Sequence, residues 1–482
     1  MHASFTGSAL RTRTLRTILL ASLLTAPGCA SLDATHELQA AADASRRVAG
    51  SIGPAEAWAL PVEGDSPVWD GTAPLGYNDA VAVALQGNPT LRRALAVIVE
   101  RRARYVQEGL PPNPTVGFGI GIAVDGLSGA PMMVQGLQML SWLWKNPHRV
   151  AAAEAELRGA VYDAAFECVG AMMRTRIQLA GVLAAQELLE YDRQYVEITG
   201  RTMQLVEAQV EAGELPELEL DRARLEHQEA IEALIASDYA IETSKLELLA
   251  TMGRPTASTD WIAVGALPPT WTIPSDEQTL LELAAEGRLD VASARETILA
   301  LQAELGLAET RRFPEIGVRV EYRRNASDRE SIVPGMSITI PVFDNGDPAV
   351  AIQSARIDAA TLTLLETLES AQQDVLTGLT RYRDARDRTT VVRRDQLSNA
   401  IAAQERSDAA YREGVVDLNT LLMTQRRRIA VERNLVTLEL STMKAMCELR
   451  QAVGGSFDPQ LDVVEPIEIE ARSHDVEQED AS

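Results

Sequence analysis

The feature that most limits how this chain can fold is the absence of proline over two long reaches, 148–215 and 349–458. Each reach follows a short run that reads as β-strand. Each is broken by one glycine in a turn-like setting, Gly213 at the end of the first and Gly414 near the middle of the second. An unbroken helix from Arg149 to Ala212 would be roughly 95 Å long at about 1.5 Å per residue. Globular helices average about 11 or 12 residues, so rods of this length imply coiled coils, long bundles or tubes. Aromatic residues make up only 4% of the chain, which suits helices packed through narrow seams rather than around a thick aromatic core.

The two reaches belong to a duplicated unit. Gly87 answers Gly287, Pro114 answers Pro314, Gly117 answers Gly317, Gly136 answers Gly335, Trp144 answers Phe343, Gly213 answers Gly414 and Gly253 answers Gly454. The offsets run only from 199 to 201, in one order, which is the signature of an internal repeat. The division that follows is a first repeat at 75–254, a linker at 255–274 and a second repeat at 275–455. Residues 29–74 read as an extended lead-in, and the acidic tail 456–482 reads as disordered.

Each unit reads as helix, strand, loop, strand, long helix, turn, helix, with hairpins at 115–142 and 315–342. In the second unit Val318, Val320 and Tyr322 alternate with Arg319, Glu321 and Arg323, so one strand face is dry and the other wet. Met336, Ile338, Ile340 and Val342 alternate with Ser337, Thr339 and Pro341 on the partner strand. The first hairpin is a weaker version, joined around Asp125 to Ala130. Such a hairpin fits either a soluble core or a piece of a transmembrane barrel. Leu435, Leu438, Thr442, Ala445, Leu449 and Ala452 recur at coiled-coil spacing, as do Ile231, Leu234, Ile241 and Leu248. Two hairpins cannot close a barrel and narrow stripes cannot bury themselves, so both call for self-association.

The N-terminus reads as an export signal over 1–28. Arg11, Arg13 and Arg16 precede the apolar run Ile18 to Leu24, and Ala26-Pro27-Gly28 precede Cys29. That pattern predicts a lipoprotein with lipid, palmitate included, on Cys29; ordinary cleavage nearby is the alternative. Cys168 and Cys447 lie in helical stretches and read as buried free thiols. A net charge of −24 argues against nucleic acid as a partner.

No catalytic arrangement stands out, so an enzyme is not expected. The five histidines are scattered singly, and no cofactor or metal site is expected. His227 reads as a surface histidine. Glu214, Glu217, Glu219 and Asp221 follow Gly213. They suit a helix N-terminus, where negative charge is favoured, or a carboxylate ring at a pore mouth, with Glu219 and Asp221 as entrance candidates.

With "GNPTL" at Gly87, "LPPNPTVGFG", "QVEAGELPELELDRARL", "GMSITIPVFDNG" and "YREGVVDLNTLL" in view, the chain resembles the TolC-like outer membrane factor family from about Leu75 to Gly455. The Pro112-Asn113-Pro114 run and the turn from Val210 to Glu214 look most like its cobalt–zinc–cadmium efflux branch. The resemblance implies a mainly α fold with a small β part. Three chains would build one periplasmic α-barrel and one outer membrane β-barrel, four strands from each, with Val318, Val320 and Tyr322 toward lipid. It implies an exit duct for an inner-membrane pump, lipid-anchored in the outer membrane and extending into the periplasm, with heavy-metal cations as a candidate cargo. A periplasmic membrane fusion protein would meet the tips at Glu211, Ala212, Gly213, Glu214 and Leu215, and at Arg412, Glu413, Gly414, Val415 and Val416. Two departures stand out. Thr420 and Met423 lie where some members carry acidic residues, and Asn146-Pro147 replaces the usual Gly-Lys, at no expected cost because proline suits a helix start. The alternative is a periplasmic coiled-coil scaffold or adaptor lipoprotein without a pore.

Overall fold

The computed structural model describes residues 31–49, 69–122, 130–267, 273 and 276–455. The export signal, Cys29, the acidic tail 456–482 and most of the loop from Asp125 to Ala130 lie outside the described residues. The first unit comprises α2 (Tyr77–Gly87), α3 (Pro89–Glu108), β1 (Thr115–Ile120), β2 (Met132–Met139), α4 (Trp142–Glu211) and α5 (Glu217–Thr251). The second comprises α6 (Glu277–Gly287), α7 (Leu289–Glu309), β3 (Glu315–Arg324), β4 (Glu330–Thr339), α8 (Asp347–Val391), a π-helical stretch Val392–Leu397, α9 (Ser398–Arg412) and α10 (Leu418–Val453). A helix α1 (Thr35–Ala49) precedes both units.

The single helix expected before each hairpin is two. Asn88 leaves the helical region, its side chain accepts from the Thr90 and Leu91 amides, and Pro89 opens α3. Arg288 is extended in the same way between α6 and α7. These breaks admit the far end of each unit. A Cβ on Gly253 would lie 2.1 Å from the Gly87 carbonyl, and one on Gly454 would lie 2.7 Å from the Arg288 amide. Only glycine allows the returning helix so close. The same backbone contact therefore closes both repeats.

α4 is one helix of 70 residues, roughly 105 Å long. It starts before the expected Arg149, so Pro147 lies inside it rather than at its start. Proline there removes the bond that would run to the Leu143 carbonyl, a cost the reading as a helix start did not foresee. Ala152, Ala153, Ala155, Ala160, Ala164 and Ala165 are all buried, and such small side chains let neighbours approach α4 on several sides.

The lead-in is not extended throughout. α1 buries Ala41, Ala42, Ala44 and Ser45, and it packs on α4. An alanine face gives a weak apolar pattern in sequence, which is why the helix was hidden. Glu37 of α1 is fully buried and ion-pairs with Arg102 of α3 at 2.9 Å. Cys168 and Cys447 are buried free thiols. Burial raises both thiol pKa values, that of Cys447 to about 11.

The elements line up in rows. Near the sheet the order is α3–α4–α7–α8, and toward the opposite end it is α5–α4–α10–α8/α9. The strands repeat the arrangement as β1–β2–β3–β4, all antiparallel. The predicted α10 seam, Leu435, Leu438, Thr442, Ala445, Leu449 and Ala452, is buried along its whole length. On α5, at the end of a row, Leu248 is buried, Leu234 and Ile241 are half-buried, and Ile231 is exposed.

Candidate functional site

Register decides what each face of the sheet carries, because directly paired residues point the same way. Val318 pairs with Met336, Val320 with Pro334 and with Gly136, and Tyr322 with Ile332 and with Val134. Gly136 pairs with Val116, Val134 with Phe118, and Met132 with Ile120. One face is thus mainly apolar across all four strands, with Gln138 beside Val318 and the Arg324–Glu330 pair at its loop end. It is also bare: Phe118 is 78% exposed, Ile120 80%, Ile332 67% and Met336 63%. The opposite face holds the polar and small residues Gly117, Gly119, Gln135, Gly317, Arg319, Glu321, Arg323, Gly335 and Ser337, with Met133, Leu137, Met139 and Val333 among them. Glu321 is 2% exposed there and ion-paired with Arg323. Phe313 and Phe343 stand exposed at the helical end of β3 and β4. The strands end at Met139 and Thr339, short of the 142 and 342 expected, because Ser141 is already in helical conformation ahead of α4 and the chain bends after Thr339.

At the far end of the rods lie the two turns. Gly213 has φ +76° and Gly414 has φ +72°, the left-handed conformation that ends a helix at low cost only with glycine. The Glu214 amide donates to the Gln209 carbonyl at 2.8 Å, and the Val415 amide donates to that of Ala410 at 2.8 Å. The two turns are the same motif. Glu211, Ala212, Glu214, Arg412, Glu413 and Val415 are exposed, while Leu215 and Val416 are half-buried. Past the turns the units differ. Pro216 opens α5 with no side-chain cap, whereas Asp417 caps α10 by accepting from the Thr420 amide at 2.9 Å. Hydrogen bonds from the Thr420 hydroxyl and amide hold the Asp417 pKa below the usual carboxylate range.

The entrance candidates fall on the first turns of α5. Glu217 and Glu219 sit where the helix dipole favours negative charge, and Glu219 pairs with Arg222 at 2.8 Å. Asp221 is exposed. His227 is not a free surface residue: it is half-buried between α4 and α5, with Nδ1 3.1 Å from the Thr199 hydroxyl. Two polar links between the units were missed in the sequence. Arg426 of α10 pairs with Glu226 of α5, and Arg433 of α10 lies 3.1 Å from the fully buried Asp192 of α4. Each joins residues about 200 positions apart or more, which no local pattern announces. Among the described residues no group of His, Cys, Asp and Glu is placed to hold a metal, and no helix is long and apolar enough to cross a membrane.

Residues 80–254 and 280–455 each match the profile of the family described as outer membrane efflux protein. The chain belongs to that family. The two matched stretches cover the two repeats, and the fold is the TolC-like one, mainly helical and internally duplicated. Family relatives include the pyoverdine export outer membrane protein OpmQ of Pseudomonas aeruginosa, 26% identical over 299 residues, 57% of this chain and 59% of that one. They also include the cobalt-zinc-cadmium resistance protein CzcC of Cupriavidus metallidurans, 24% identical over 247 residues, 51% of this chain and 58% of that one. The alignments thus span less than two thirds of either relative. Among solved structures, the outer-membrane channel OprN superposes with a TM-score of 0.65 at 20% identity, over 80% of this chain and 91% of that one.

Proposed function

We propose that the chain is one third of a passive exit duct, the outer membrane component of a tripartite efflux pump, and not an enzyme. The observation that carries this reading is the bare apolar face spanning four strands whose outer edges, β1 and β4, have no partner within the sheet. In water such a face would aggregate. In a bilayer it is a lipid-facing wall, and the polar face behind it lines a channel. The strands β3 and β4 have 10 residues each, about 33 Å of extended chain, which tilted by about 45° crosses the hydrocarbon core. Phe313 and Phe343 then fall at the membrane–water boundary, where aromatic rings are favoured. Twelve strands from three chains close the barrel, and the helical rows close beneath it.

The rods continue the lumen into the periplasm, and the turns at Gly213 and Gly414 are where a membrane fusion protein would dock. Transport is driven by the inner-membrane pump; the duct supplies a path and a gate at its entrance helices. Cys29 lies six residues before α1, a span of at most about 20 Å, and lipid there would tether the chain to the membrane its sheet crosses. Heavy-metal cations are the finer assignment of cargo, supported by likeness to CzcC and opposed by the likeness to OpmQ.

Single-channel conductance and oligomer mass from one detergent-purified preparation test the duct. Discrete openings from a trimer are expected; a monomer that stays soluble without detergent and never conducts would sink the proposal. Carbonate extraction of a Cys29→Ala variant separates the barrel from the lipid, since the barrel alone holds the protein in the outer membrane fraction. For cargo, deletion of the gene should sensitise the host to cobalt, zinc or cadmium; unchanged metal tolerance would remove the metal assignment.

A further inference from the structure

Near the tips, α10 and the α4–α5 hairpin enclose a groove of about 740 Å³, large enough for a small organic molecule. Its polar wall is basic, on a chain whose net charge is −24. Arg426, Arg427 and Arg433 line it together with the hydroxyl-bearing Thr420, Thr424 and Tyr195, and Met423, Ile429 and Ala430 supply an apolar floor. The cations are incompletely answered. Glu226 takes Arg426, yet the buried Nε of Arg426 has no acceptor. Arg433 Nε is 3.1 Å from Asp192 Oδ1 but off the line a hydrogen bond needs, and both atoms lack hydrogen-bond partners. Arg427 is exposed and has no carboxylate within ion-pair distance among the described residues. The groove around Arg288 and Arg381 is different, because Asp290, Asp374 and Glu448 answer both cations there.

From this geometry we infer that the α10 groove is a binding site for organic anions, carboxylates or sulfonates with an apolar body. Arg427 is the residue that recognises the charge. Unfilled guanidinium donors beside an apolar floor favour that class, since charge-assisted bonds to arginine are strong and directional. A metal cation would meet repulsion in the same place. The site stands on this chain alone. Only its consequence for cargo, organic anions, rests on the duct reading, and there it competes with the heavy-metal assignment.

The test is calorimetric titration of the full-length protein in a non-ionic detergent with 1-naphthoate and with 1-naphthylmethylammonium, alike in shape and opposite in charge. Naphthoate is expected to bind at least about tenfold tighter. Arg427→Gln should weaken naphthoate about tenfold, and Arg427→Glu should reverse the preference. Arg428→Gln, whose parent side chain pairs with Glu432 at 2.9 Å, should leave naphthoate binding unchanged. Equal binding of the two probes, no effect of Arg427→Gln, or an equal loss in Arg428→Gln would each overturn the site. Oligomer mass and conductance from the same preparation keep the two readings apart. A conducting trimer that ignores naphthoate removes the groove and leaves the duct, and a non-conducting monomer that binds it does the reverse.

Discussion

α4 and α8 hold matching places in the two repeats, yet they live in different surroundings. α4 stands inside both helical rows and buries residues along most of its length. α8 stands at the end of a row and buries seven, from Ala371 to Thr389. Toward the sheet it presents Ile352, Leu362 and Leu365 to solvent, each at least 50% exposed. A second difference lies in the rods themselves. The first descends as one helix, while the second passes through the π-helical stretch at Val392–Leu397, a form found mostly as single-turn interruptions of α-helices and often at functional sites. Duplication of sequence is thus not duplication of environment. In an open row one copy of the long helix becomes the middle and the other becomes the edge.

The largest expected effect concerns α1, which braces the first unit and has no counterpart before the second among the described residues. Arg102→Ala strands Glu37 as a buried unpaired charge and should lower stability by about 3–5 kcal/mol, read by thermal or denaturant unfolding. A negligible change would mean that α1 does not brace the first unit. Next, Leu449→Ala should cost about 2–5 kcal/mol, because Leu449 is fully buried against α8 at Gly378. Leu362→Asp on the exposed stretch of α8 should leave helix content intact and dissociate the proposed trimer, visible in oligomer mass. If both variants behaved alike, the contrast between middle and edge would fail.

Smaller effects sharpen the comparison of the tips. Gly213→Ala and Gly414→Ala each force a side chain into the left-handed region, and each should cost about 1–2 kcal/mol. Because the turns are the same motif, the two losses should agree; a clear inequality would mean that one tip is held by other contacts. Acid should then separate them. The folded pKa of Asp417 is depressed, so its hold on the first turn of α10 is present above the ordinary carboxyl range and is lost as pH falls through the folded value. Protection of the Asn419 to Leu421 amides, relative to their intrinsic exchange rate at each pH, should fall in acid, while the Pro216 start of α5 has no side-chain cap to titrate and should change less.

Much of this architecture was legible because the signals are periodic or conformational. Missing prolines marked the rods, alternation at Val318 to Arg323 marked a two-faced strand, and Gly213 and Gly414 marked the reversals. The α10 seam was readable residue by residue. What stayed hidden depends on neighbours. Ile231 and Leu248 follow one spacing, and only the place of α5 in the row decides that one is bare and the other buried. Glu37 with Arg102, and Asp192 with Arg433, meet only after folding. Arg427 lies inside a plain run of three arginines, and nothing in that run says which of them is left without a partner.

The rows of four have unlike ends, β1 opposite β4 and α3 or α5 opposite α8. In the proposed duct, copies would therefore join head to tail, and how far each turns about the common axis would set how many complete the circle, about 120° apiece for three. Curvature is then a quantity under constraint, as much as any contact. A substitution that flattens the arc would not give a narrower pore but an open chain of subunits. Its terminal strands would keep recruiting further copies, so the failure to expect is fibrous aggregation rather than weak conductance.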